Sequence, residues 1–165
     1  MKPGLARGLN RADWTRPVPD EDSVAVLAAR FARLIKAPMV IYLEGDLGTG
    51  KTTFARAFIH ALGFKAYVKS PSYGLLESYS VSGMTILHLD LYRIENPEEL
   101  EYLALRDLHD ANSVLLVEWP RKAGTHLPAP DLVLEFRETD ERHFIRSSAT
   151  TTAGFELNQA ILQEL

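Results

Sequence analysis

Residues Gly45-Asp46-Leu47-Gly48-Thr49-Gly50-Lys51-Thr52 fit the pattern Gly-x-x-x-x-Gly-Lys-Ser/Thr, and the pattern sits between an apolar run and a helical one. Met39-Val40-Ile41-Tyr42-Leu43 reads as a buried strand. Phe54, Ala57, Phe58, Ala61 and Leu62 then recur at helical spacing up to Gly63, a natural C-terminal stop. A strand, a glycine-rich turn and a helix in that order make a phosphate-binding loop. The glycines let successive backbone N–H groups turn inward around a phosphate, and the helix points the positive end of its dipole at the same charge. The expectation is a nucleoside triphosphate held by Asp46, Leu47, Gly48, Thr49, Gly50, Lys51, Thr52 and Thr53, with Lys51 on the β- and γ-phosphates and the Thr52 hydroxyl on Mg²⁺.

The remaining pattern extends this motif into a single α/β domain. With 165 residues, 46% of them hydrophobic and 24% charged, the chain has the size and composition of one globular unit. Residues 1–17, basic and interrupted by Pro3, Gly4, Gly8 and Pro17, read as a flexible tail, and 18–165 as the folded domain. Asp20, Glu21 and Asp22 open a helix whose apolar stripe is Val24, Leu27, Ala28, Phe31, Leu34 and Ile35, ended by Pro38. A short strand is expected around Ala66-Tyr67-Val68, then a loop from Lys69 to Tyr73. A hairpin of Leu75–Ser80 and Met84–Leu89 follows, turning at Val81-Ser82-Gly83. Asn96-Pro97-Glu98-Glu99 is the start signal of a helix carrying Leu100, Leu103 and Ala104. Ser113–Val117 has the unbroken apolar character of a strand in a parallel sheet. Leu132–Phe136 and His143–Ser147 are two more strands, and 155–165 a final helix.

Several classes of function are disfavoured. A net charge of −4 and a pI near 5.7 do not suit a protein that grips nucleic acid through its own surface. The absence of cysteine removes disulfides and thiol chemistry and suits a reducing cytoplasm. No apolar run approaches the roughly 20 residues that span a bilayer, so no membrane association is expected.

A phosphate-binding loop needs carboxylates to hold Mg²⁺ and its waters, commonly at the ends of neighbouring strands. Glu118 follows Val114-Leu115-Leu116-Val117 and Asp90 follows Ile86-Leu87-His88-Leu89, and both fit that role; the lesser alternative for each is a solvated strand end. Ser70-Pro71-Ser72-Tyr73 lies where small nucleotide hydrolases keep a loop sensitive to the γ-phosphate, though a plain Ser-Pro turn has the same sequence. His88 alternates with Leu87 and Leu89, so it shares a face with Asp90 as either a core or a functional histidine.

The loop Gly45–Thr53, Val68-Lys69-Ser70-Pro71-Ser72-Tyr73, His88-Leu89-Asp90-Leu91-Tyr92-Arg93, Pro97-Glu98-Glu99-Leu100-Glu101 and Val117-Glu118-Trp119-Pro120 occur in an order and spacing that resembles the bacterial tRNA threonylcarbamoyladenosine biosynthesis ATPase family, TsaE. The likeness covers about residues 17 to 148. It implies a P-loop NTPase fold, with a mostly parallel central sheet flanked by helices and an antiparallel hairpin at an edge. It further implies a weak ATPase that works with the proteins TsaB and TsaD, and reaches tRNA only through them. The product would be the threonylcarbamoyl modification at adenosine 37 of tRNAs reading ANN codons. Carried over by motif, Lys51, Asp90 and Glu118 would be catalytic, Thr52 and Glu118 the Mg²⁺ ligands, and Pro19 and Arg142 nucleotide contacts. Ser72, Gly74, Ala104 and Arg121 depart from the family's usual Thr, Thr, Gly and acidic residue. A small-molecule kinase, or a nucleotide-gated interaction module that does not need turnover, remains an alternative.

Overall fold

The structure, a computed structural model, describes residues 12–165. It contains strands β1 (Trp14–Pro17), β2 (Met39–Glu44), β3 (Leu76–Val81), β4 (Met84–Asp90), β5 (Ser113–Glu118), β6 (Leu132–Thr139) and β7 (Arg142–Ala149). Helices α1 (Glu21–Leu34), α2 (Lys51–Ala61), α3 (Leu105–Leu108) and α4 (Thr152–Leu162) accompany them. The strands form one seven-stranded sheet in the order β1-β7-β6-β2-β5-β4-β3. Its centre, β6-β2-β5-β4, is parallel, and hairpins close both sides. This is the α/β architecture the sequence led one to expect, a mostly parallel central sheet with antiparallel edges.

Alternation along the central strands sorts side chains onto two faces. Ile41, Leu43, Ile86, Val114, Leu116, Leu134 and Phe136 point into a core shared with α1, α2 and α4. Val40, Leu87, Leu89, Leu115 and Val117 fill a second core beneath residues 91–105. Four aromatic rings tie the first layer together: Trp14 meets Phe31 at 6.2 Å, Phe31 meets Phe54 at 5.4 Å and Phe54 meets Phe136 at 5.9 Å. These tilted and edge-on contacts link β1, α1, α2 and β6 in geometries that aromatic pairs favour.

Three expectations need correction. The first is the tail. Residues 1–11 lie outside the described residues, but Trp14–Pro17 pairs antiparallel with β7, and Val18 continues the ladder by donating to the His143 carbonyl at 2.8 Å. Burial of Trp14 and the Asp13 carboxylate that accepts from Ala149 N–H at 3.1 Å outweigh the proline and the basic charge. The second is the strand at Ala66-Tyr67-Val68, which is irregular: Val68 is buried, Tyr67 is 76% exposed, and among the described residues no neighbouring strand supplies a ladder. The third is the helix after Asn96. The Asn96 cap forms as read, and the Glu99 side chain completes a capping box by accepting from the Asn96 N–H, but the segment Pro97–Leu103 is a 3-10 helix, and Ala104 then turns left-handed at φ 50°, ψ 42° before α3 begins.

Candidate functional site

The end of β2 and the start of α2 force the loop between them into a tight path. Gly45 has φ 147°, and a Cβ there would stand 2.5 Å from the Phe136 carbonyl oxygen. Only glycine fits, because the β6 backbone closes on the loop from behind. Gly50 caps α2 at φ 106°, and no side-chain oxygen caps the helix end, so its first N–H groups stay open to a ligand.

Register does the rest. Asp90 stands opposite Glu118 and His88 opposite Leu116 in the parallel β4–β5 pair. Since Ile86, His88 and Asp90 alternate onto the same face as Val114, Leu116 and Glu118, two carboxylates and an imidazole arrive under the N-terminus of α2. There the Thr52 hydroxyl lies 3.0 Å from each Glu118 oxygen, and His88 Nε2 lies 2.8 Å from Glu118 Oε1. Asp90 accepts from the Tyr92 N–H at 3.0 Å and from the Ser72 hydroxyl at 3.4 Å, and Ser72 is paired with Ser70 at 2.6 Å. The loop Ser70–Tyr73 is thus tied to the carboxylate end of β4.

Lys51 is almost fully buried. Its Nζ donates to the Gly45 and Asp46 carbonyls, both at 2.7 Å, and sits 4.4 Å from the Trp119 ring centroid. Burial lowers its pKa from the usual lysine range, while Glu118, Asp90 and Asp46 act in the opposite sense. The carboxyl of Asp90 is raised, first by burial and then by repulsion from Glu118. Trp119 itself is left-handed at φ 58°, a conformation that turns its ring under Lys51 and against Tyr92, 5.1 Å between centroids.

These groups surround a cavity of about 470 Å³ lined by Val18, Pro19, Leu47–Thr53, Ser72, Asp90, Tyr92, Glu118, Trp119 and His143, among others. Of the residues proposed from sequence, Pro19, Leu47, Gly48, Thr49, Gly50, Lys51, Thr52, Thr53, Asp90 and Glu118 converge on it. Asp46 contributes its carbonyl to Lys51 but does not line the cavity. Arg142 does not reach it either: it is exposed at the start of β7, and its neighbour His143 takes the inward position because adjacent strand residues face opposite ways. Sequence reasoning missed His143, Val18 and Val24 as wall residues, since nothing local to them signals a site. The aromatic pair Tyr92 and Trp119 was at least flagged by its place in the quoted motifs.

The oxygens of Thr52 and Glu118, with Asp90 nearby, are a donor set for a hard divalent cation. Among the described residues no group of three or more His, Cys, Asp or Glu forms a cage of its own.

Residues 18–146 match the family model described as threonylcarbamoyl adenosine biosynthesis protein TsaE. A protein of Haemophilus influenzae named tRNA threonylcarbamoyladenosine biosynthesis protein TsaE is 37% identical over 145 residues, covering 85% of this chain and 92% of that one. The Bacillus subtilis protein of the same name is 35% identical over 137 residues, covering 81% and 84%. Among solved structures, that of Bacillus subtilis YdiB superposes with a TM-score of 0.78 at 25% identity, over 92% of this chain and 95% of the other.

Proposed function

Because this chain belongs to the TsaE family, we propose that it is a Mg²⁺-dependent ATPase serving threonylcarbamoyladenosine biosynthesis in tRNA, acting with TsaB and TsaD. The observation that carries the reading is the convergence of Lys51, Thr52, Asp90 and Glu118 on one cavity at the open N-terminus of α2. Its volume, about 470 Å³, lies within the range of small-molecule and cofactor sites.

In this reading the loop amides and the α2 dipole bind the phosphates, and the Lys51 ammonium exchanges the Gly45 and Asp46 carbonyls for phosphate oxygens. Thr52 and Glu118 would hold Mg²⁺, which when bound neutralises charge on the terminal phosphates. Water attacks the γ-phosphorus in line; its oxygen bonds to phosphorus as the bond to the β–γ bridging oxygen breaks, yielding ADP and phosphate. Asp90, whose raised pKa makes its carboxylate more basic than that of an ordinary aspartate, receives the proton that the water loses. Val18, bonded to the His143 carbonyl, and Pro19 beside it line the same cavity, and would contact the base. Catalysis here is mainly positioning and charge neutralisation.

A second reading, a nucleotide-gated interaction module, is favoured by one contact. Ser72 is tied to Asp90 while the next residue, Tyr73, is 85% exposed, so occupancy of the site has a short path to the surface. Glu118→Gln separates the two. With TsaB, TsaD and tRNA, the ATPase reading expects loss of both phosphate release and sustained modification. Undiminished modification without hydrolysis would overturn it in favour of gating.

A further inference from the structure

His88 is fully buried, and among the described residues its only hydrogen-bond partner is the Glu118 carboxylate, through Nε2. An ionised carboxylate offers only acceptors, so Nε2 carries the proton and donates. Nδ1 is left buried without a partner. An apolar side chain would fill this strand position without leaving a polar atom unsatisfied, and its neighbours on the same face of the sheet, Ile86 and Leu116, are aliphatic. The imidazole therefore carries a cost that packing does not explain.

What the imidazole does is restrain one oxygen. Its N–H engages Oε1, while the Thr52 hydroxyl lies 3.0 Å from both oxygens, so the carboxylate plane is fixed from the rigid β4 backbone and Oε2 is the oxygen that the imidazole does not occupy. A glutamate at a strand end otherwise has three side-chain torsions with which to wander, and a cation site assembled from a single hydroxyl and a single carboxylate has few other constraints. Resting on the reading of Thr52 and Glu118 as cation ligands, we infer that His88 is the positioning residue of the metal site: it sets the orientation of Glu118 and thereby the affinity for the divalent ion, without touching nucleotide or metal. Hydrogen-bond partners of metal ligands typically contribute about 10–100-fold to metal affinity.

The test is Mn²⁺ affinity, read by electron paramagnetic resonance on the whole protein with a non-hydrolysable ATP analogue, beside binding of the analogue in EDTA. His88→Leu is expected to weaken Mn²⁺ by about tenfold or more while metal-free nucleotide binding stays within about twofold. His88→Gln, whose amide nitrogen reaches the place of Nε2, is expected to restore most of the affinity. His88→Asn, whose amide stops at the place of Nδ1, is not. The Gln and Asn pair keeps the test decisive if the Leu variant does not fold, and equal Mn²⁺ affinities in Gln, Asn and wild type would overturn the proposal. Absence of nucleotide-dependent Mn²⁺ binding in the wild-type protein would instead overturn the ligand assignment on which the proposal rests.

Discussion

Ala104 holds φ 50° and ψ 42°, a left-handed conformation that costs a residue with a Cβ about 1 kcal/mol or more. Glycine relieves that strain but loses more backbone entropy on folding. Ala104→Gly is therefore expected to gain about 0.5 kcal/mol and raise the melting temperature by roughly 1–2 °C, read by calorimetry; a lower melting temperature would mean that the strain is absent. Asp90 gives a pH-dependent case. Its folded carboxyl is held above the unfolded value of 3.8 by burial and by Glu118, so the native state binds the proton more tightly. The stability this adds is complete below that unfolded value and is lost as pH rises through the folded value. At pH 7 the buried charge therefore weakens the fold. In EDTA, Asp90→Asn is expected to melt above wild type at pH 7, with the gap closing as pH falls toward 4. A variant melting at or below wild type at pH 7 would contradict this sign.

At the scale of elements, β1 is the piece the sequence hid. Four residues ending in proline after a basic, glycine-containing stretch carry no strand periodicity, and their pairing with β7 depends on contacts far along the chain. Trp14 supplies the anchor against Phe31, and Trp14→Ala is expected to cost about 3 kcal/mol in urea or thermal unfolding. A loss under about 1 kcal/mol would return β1 to the status of a tail. The cost should extend to nucleotide binding, since the same ladder holds Val18 and Pro19 against the cavity. The elements around the phosphate loop were legible because their signals are local: an apolar strand, glycines that must turn, a helix of spaced Phe and Ala. Glu118 and Asp90 were legible as acids at strand ends, but their meeting is a matter of β4–β5 register, which no local pattern encodes. The break at Ala104 was invisible for a related reason. Asn96 and Pro97 announce a helix start with full strength, whereas the left-handed turn that ends it falls on a residue that ordinarily favours helix.

For the molecule as a whole, both faces of the sheet are packed, and the chemistry gathers at the strand ends of one of them. The face carrying His88, Asp90 and Glu118 receives α2 and the cavity, while the face carrying Leu87, Leu89, Leu115 and Val117 is closed by residues 91–105. Among the described residues no helix is long and apolar enough to cross a membrane. A second cavity of about 550 Å³, lined by Glu44, Asp46, Trp119, Arg121, Lys122 and Arg137 among others, adjoins the phosphate loop, so the kinase alternative is decided by which phosphorylated product forms. The most direct measurement is ATP turnover by the purified protein, alone and with TsaB and TsaD, following free phosphate and any phosphorylated metabolite separately. The account expects turnover that rises with the partners, releases only free phosphate, and falls by about 100-fold in Lys51→Ala, the scale of one lost preorganised charge contact. Transfer to a small molecule independent of the partners, or undiminished turnover in Lys51→Ala, would contradict it.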